Sequence, residues 1–258
     1  MKITILGCGG SGGIPLADGT PGGNWGACDP ANPKNRRRRV SILVEAGGTT
    51  VLVDTSPDLR AQLIDARVSR LDAVLYTHAH ADHCHGLDEL RSLVRRTHQP
   101  IDAYMNAETR ETLTARFPYV FASSRNPDSL YRALMTDHVI DGPFNIGPIA
   151  IKPFEQDHGP ETTLGFRLGD MAYSTDLVGL DEAAFEALDG VKLWIVDCLR
   201  DRPHPTHTWT AQTFEWIARV KPQRAVLTHM NEELDYEDLR RRCPPGVEPG
   251  YDGLVIEV

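Results

Sequence analysis

Six short apolar runs in this chain each end on or next to an aspartate or histidine, and that punctuation constrains the fold more than any other feature. They are VLVDT (51–55), DAVLYTH (72–78), KPFEQDH (152–158), MAYSTD (171–176), KLWIVD (192–197) and AVLTH (225–229). Runs of four to eight residues rich in Val, Ile, Leu and aromatics read as buried strands. Polar groups collected at strand ends are what a sheet scaffold with one reactive edge provides. Further strands read at KITIL (2–6), VSILVEA (40–46), IDAYM (101–105), TTLGFRLG (162–169) and GLVIEV (253–258). Helical spacing appears in LRAQLIDAR (59–67), LDELRSLVRR (87–96) and near 108–116, 181–188 and 209–219, with Asp181 and Thr208 expected as N-caps. The middle, up to about residue 145, reads as irregular.

No linker or composition shift divides the 258 residues, so a single α/β domain over 1–258, with layered sheets and outer helices, is expected. A net charge of −9 argues against a surface that holds long nucleic acid by phosphate neutralisation. Five scattered cysteines without metal or redox spacing fit a reducing compartment, and no run suits a signal peptide or membrane span. The expectation is a cytoplasmic protein with no membrane partner and a possible homodimer. The long Pro/Gly-rich loop 14–38 and the basic run Arg36–Arg39 have no fixed role at this level.

The densest chemistry lies in THAHADHCHG (77–86). Imidazole and carboxylate donors without thiolates suit zinc, manganese or iron in a reactive site better than a structural zinc. His78, His80, Asp82 and His83 cannot readily converge on one ion, whereas two neighbouring ions can share them. His158, Asp176 and His229 supply later donors at strand ends.

The H-x-H-x-D-H run, followed by His, Asp and His at strand ends, resembles the metallo-β-lactamase superfamily along essentially the whole chain. The resemblance implies a four-layer αββα sandwich of two mixed sheets, with two divalent ions, Zn2+ or Mn2+, at one edge. By matching position, His78, His80 and His158 would hold one ion and Asp82, His83 and His229 the other, with Asp176 bridging them. Asp54 would orient the metal loop. His85 fits no slot, and His98 and His138 read as structural or solvent-facing.

The segment VDCLRDRPHPTHTWT (196–210) narrows the reaction. Asp197 and the HPTH loop resemble the branch that includes the cyclic-phosphate phosphodiesterases of phosphonate-degradation operons, as do GCGGSGGIP and the arginines before VSILVEA. The implied activity is hydrolysis of a small cyclic or nucleotide-like phosphodiester, with hydroxide from a water shared by the ions as nucleophile. His207 would serve as general acid and Asp82 would orient the nucleophile. Arg39 is a candidate phosphate contact and Trp25 a candidate base-stacking residue, with His204 shaping the loop.

Two departures bear on this reading. The phosphonate-operon enzymes carry a structural zinc on clustered cysteines, whereas GGNWGACDP retains only Cys28. Transfer-RNA 3′-processing endonucleases resemble the chain more distantly and insert an RNA-binding arm between the ligands matching His158 and Asp176. Only 17 residues (159–175) separate those positions here. A thioesterase or lactonase of the same fold, and a non-catalytic carrier, are the other readings.

Overall fold

A computed structural model describes residues 1–121 and 133–258. Fourteen strands are formed among them: β1 (Lys2–Gly7), β2 (Ser41–Ala46), β3 (Thr49–Val53), β4 (Ala73–Leu75), β5 (Ile101–Met105), β6 (Met135–Val139), β7 (Phe144–Ile146), β8 (Ile149–His158), β9 (Glu161–Leu168), β10 (Met171–Ser174), β11 (Leu193–Asp197), β12 (Arg224–Thr228), β13 (Val247–Pro249) and β14 (Val255–Glu257). They build two seven-stranded mixed sheets, ordered β14-β1-β2-β3-β4-β5-β6 and β13-β12-β11-β10-β9-β8-β7. In the first, β1 to β3 are antiparallel and β3 to β6 parallel. The second is parallel from β10 to β13 and antiparallel from β7 to β10.

Strand periodicity sorts the side chains into layers. Ile42, Val44, Val51, Val53, Ala73 and Leu75 face the second sheet and share one core with Ile149, Ile151, Phe166, Leu168 and Tyr173. The alternate residues Leu43, Leu52 and Val74 point outward into a separate cluster with helix residues Leu59, Leu63, Val94 and Leu113. Those helices are α1 (Leu59–Asp65), α2 (Ala81–Cys84), α3 (Arg91–Thr97), α4 (Ala107–Arg116) and α5 (Pro118–Phe121). The second sheet is covered by α6 (Glu182–Leu188) and α7 (Thr210–Val220), and α8 (Tyr236–Arg242) follows β12. The architecture is thus the expected αββα sandwich.

Several local expectations change. The irregular stretch up to residue 145 falls partly on residues 122–132, outside those described. The rest carries α5, β6 and β7, three to five residues each, too short for periodicity to register. LDELRSLVRR splits into a 3-10 turn (Leu87–Leu90) and α3. Asp181 caps α6 as expected, accepting from the Ala184 N–H. Thr208 does not cap α7; Trp209 holds that position, and the Thr208 hydroxyl is buried 3.0 Å from that of Thr213. No helix among the described residues is long and apolar enough to cross a membrane.

Candidate metal centre

The site forms where strands from both sheets end at a common edge. From the first sheet, β3 runs into Asp54 and β4 into Thr77 and His78. From the second, β8 ends at His158, β10 leads to Asp176, β11 ends at Asp197 and β12 leads to His229. Asp54, Asp176 and His229 have φ of 61°, 55° and 56°. That left-handed region is costly for most side chains but accessible to Asp and His, and single residues there cluster at functional sites. Each turns the chain abruptly off its strand at the sheet edge.

Two groups of donors result. The ligand atoms of His78, His80, His158 and Asp176 lie within 4.8 Å of one another, and so do those of Asp82, His83, Asp176 and His229. Asp176 is common to both. His80 is the N-cap of α2, whose first turn swings Asp82 and His83 away from it. Asp197, His207 and His229 make a third group of the same compactness.

Hydrogen bonds set the imidazole tautomers. Asp54 is fully buried and accepts from the Thr77 N–H (2.9 Å), the Thr77 hydroxyl (2.8 Å) and His83 Nδ1 (2.7 Å). Because the Thr77 proton goes to Asp54, its Oγ1 accepts from His78 Nδ1 at 3.0 Å. His158 Nδ1 donates to the Thr206 carbonyl at 2.7 Å, and His207 Nδ1 to Asp197 Oδ2 at 3.0 Å. In His78, His83 and His158 the Nδ1 proton is held in this way, leaving Nε2 for the centre, while Asp197 fixes the orientation of the His207 ring.

The residues fit a pair of divalent cations. The Nε2 atoms of His78, His83 and His229 are buried without a hydrogen-bond partner among the described residues, a cost that metal coordination would remove. Burial and the neighbouring His83 charge hold His78 well below the usual imidazole range, and burial also lowers His158, so both present lone pairs. Burial opposes charge on His229 too, but Asp176, Asp82 and Asp197 override it and raise the group to about 9. Burial likewise opposes ionisation of Asp176, yet His229 and His83 keep it well below the carboxylate range. An ion entering here would displace protons from His83 and His229.

The remaining candidates are placed as follows. Asp197 is fully buried; its carboxylate also accepts from the Leu177 N–H at 3.3 Å. His204 has its ring 5.1 Å from His207 and accepts from the Thr206 N–H, which shapes the HPTH turn. Arg39 pairs with Asp58 (Nε to Oδ2, 2.9 Å), and Trp25 lies under the Arg36 guanidinium at 5.0 Å. Neither belongs to the three donor groups. His85 packs on Phe117 at 5.5 Å, His138 contacts Asp102 at 2.8 Å, and His98 closes α3, all outside the groups. Two residues escaped the sequence reading. Glu161 Oε2 lies 3.1 Å from His80 Nε2, and Arg116 Nη1 donates to the Ala79 carbonyl at 2.6 Å. Glu161 stands three residues past His158, a usable signal; nothing in the sequence ties Arg116 to residue 79.

The beta-lactamase superfamily domain matches residues 49–230. The octanoyltransferase of Porphyromonas gingivalis (strain ATCC BAA-308 / W83) is 31% identical over 257 residues, covering 98% of this chain and 51% of that protein. Ribonuclease Z of Bradyrhizobium sp. (strain ORS 278) is 30% identical over 131 residues, covering 48% of this chain and 44% of that protein. The chain spans about half the length of the curated relatives it matches. Among solved structures, a diphosphatase from the PhnP family superposes with a TM-score of 0.88 at 30% identity, covering 99% of this chain and 96% of that one. The matched region runs from the start of β3 to the residue after His229 and holds every donor of the two shared groups; the chain belongs to the beta-lactamase superfamily, in its metallo-β-lactamase αββα form.

Proposed function

We propose that the chain is a metal-dependent phosphodiesterase acting on a small cyclic or nucleotide-like phosphodiester. His78, His80, His158 and Asp176 would hold one divalent ion, Zn2+ or Mn2+, and Asp82, His83, Asp176 and His229 a second. Such ions neutralise phosphate charge and acidify the attacking water.

The observation that carries the reading is the setting of His207. Its Nδ1–H is held by buried Asp197, and its Nε2 lies 3.8 Å from Asp176 Oδ1, the carboxylate common to both groups. The ring stacks on His229 at 4.8 Å and 11° and meets His158 edge-on at 4.9 Å. An imidazole so fixed delivers its Nε2 proton to the departing alkoxide. Asp197 holds the ring in place. Asp82, with its side chain 12% exposed, is the more open carboxylate of the second group and would orient the attacking water.

This proton donor favours a phosphodiester over a thioester, because a thiolate leaves without protonation. The 17 residues between His158 and Asp176 are taken up by the β8–β9 turn, β9 and β10, which leaves no arm for a long RNA. The octanoyltransferase is about twice this chain's length, so the activity it is named for can reside in the half this chain does not match. Hydrolysis of bis(p-nitrophenyl) phosphate by the metal-loaded protein tests the reading. His207→Ala is expected to lower kcat by about 10²- to 10⁴-fold on a 2′,3′-cyclic nucleotide, whose leaving alkoxide needs a proton, and far less on bis(p-nitrophenyl) phosphate, whose phenolate does not, with metal content retained. An unchanged kcat on the cyclic nucleotide would remove the general-acid role.

A further inference from the structure

Beside the first donor group lies a cavity of about 60 Å³ that the sequence reading did not assign. One wall is the ligand run itself, His78, Ala79 and His80. The others are α4, through Glu108, Thr109, Thr112 and Arg116, and the start of β9, through Glu161 and Thr162. Arg116 is tied to the Ala79 carbonyl at 2.6 Å and Glu161 reaches His80 Nε2 at 3.1 Å, so both charges sit at the rim of the centre. Two buried side chains, His78 and Thr109, also line the space, and His78 Nε2 has no partner among the described residues. The cavity therefore shares His78 and His80 with the first donor group.

Its chemistry is selective. The cavity offers two carboxylates against one guanidinium, together with three threonines able to exchange hydrogen bonds with a hydroxyl. A neutral, hydroxyl-bearing substituent finds acceptors on Glu108 and Glu161 and a donor on Arg116. A second phosphate would meet two exposed carboxylates at the cavity mouth, and like charges brought together at a recognition surface are a common device for rejecting wrong partners.

The geometry points to a charge filter: Glu108 and Glu161 make this cavity a subsite for the uncharged, hydroxylated portion of the substrate and exclude diesters that carry an additional phosphate. The inference rests on the phosphodiesterase reading and names which diesters that site accepts.

Two substrates with the same scissile bond test it: thymidine 5′-(p-nitrophenyl phosphate) and the same compound with a 3′-phosphate. The measured quantity is the ratio of their kcat/KM values, with metal content determined for each protein. The wild type is expected to favour the compound without the 3′-phosphate. Glu108→Gln and Glu161→Gln should each reduce that preference by about 2- to 5-fold, and the double variant by more. Raising salt from about 0.05 M to about 0.5 M should reduce it in the wild type and not in the double variant. Because Glu161 touches His80, Glu108→Gln is the variant that separates charge from metal loading. A preference unchanged in both single variants, or insensitive to salt in the wild type, overturns the filter while leaving the phosphodiesterase reading intact. A metal-loaded protein that cleaves neither compound overturns both.

Discussion

Asp54→Asn tests whether the hydrogen-bond scaffold sets metal affinity. Asp54 accepts three hydrogen bonds and donates none. An asparagine amide oxygen can keep the Thr77 N–H bond, but the amide NH₂ then faces Thr77 Oγ1 and His83 Nδ1. To pair with that donor, His83 must present a lone pair at Nδ1 and move its proton to Nε2, the atom aimed at Asp82 and Asp176. A protonated Nε2 cannot ligate. Losing such a supporting carboxylate costs about 10- to 100-fold in metal affinity, or about 1.4–2.7 kcal/mol. The metal-linked gain in stability shrinks by the same amount at fixed saturating ion. At about 2–4 °C per kcal/mol, the rise in Tm on adding Zn2+ or Mn2+ to the chelated protein should be about 3–11 °C smaller than in wild type. Calorimetric titration and paired melting curves measure both quantities, and comparing loaded with chelated protein cancels any effect on the apo fold. Wild-type affinity together with an undiminished rise in Tm would refute the tautomer argument.

Three further outcomes follow from particular contacts. Asp197→Asn should lower kcat with little change in metal content, because its Oδ2 fixes the His207 ring; wild-type kcat at all pH values would contradict that. Gly86→Ala should fail to fold or lose several kcal/mol, since a Cβ there would overlap the Ser56 carbonyl oxygen; a wild-type denaturation midpoint would contradict it. Asp252 is half-buried and accepts from the Cys8 and Arg38 N–H groups, and loss of solvent around its carboxylate raises it to about 7, above the usual carboxylate range. The folded state therefore holds this proton more tightly than the unfolded chain. The stability it contributes is present below about pH 4 and is lost as pH rises through about 7, a change of up to about 4 kcal/mol. Asp252→Asn should flatten that part of the stability profile, and an unaltered slope would show that the group does not titrate there.

The donor set was legible because two independent signals coincided. Strands advertise themselves by apolar runs, and His158, Asp176 and His229 stand at or just beyond the ends of β8, β10 and β12. Asp54 and Asp197 carry the same signature at β3 and β11. The run Arg36–Arg39 shows where such reading fails. Near-extended backbone sends successive side chains to opposite sides, so four like residues acquire four environments. Arg36 covers Trp25, Arg38 pairs with Asp65, and Arg39 pairs with Asp58. Arg37 is buried, with its guanidinium on the carbonyls of Asn231 and Leu234. Nothing local distinguishes Arg37 from its neighbours, because partners about 194 residues away decide its fate. The cavity walled by α4 and β9 was illegible for the same reason.

The distribution of donors between the sheets carries one more consequence. His78, His80, Asp82 and His83 follow a strand of one sheet, whereas His158, Asp176 and His229 are borne by the other. Divalent ions bound across that seam would act as non-covalent cross-links between halves otherwise joined by the apolar layer of Ile42, Val44, Ile151 and Phe166. The spacing of the reacting groups is then a readout of how the sheets dock. A core substitution such as Phe166→Leu, which touches no donor, can shift catalysis before it measurably unfolds the protein. Amide exchange in β4 and β12 should slow together when metal is added, reporting that the two halves open as one unit.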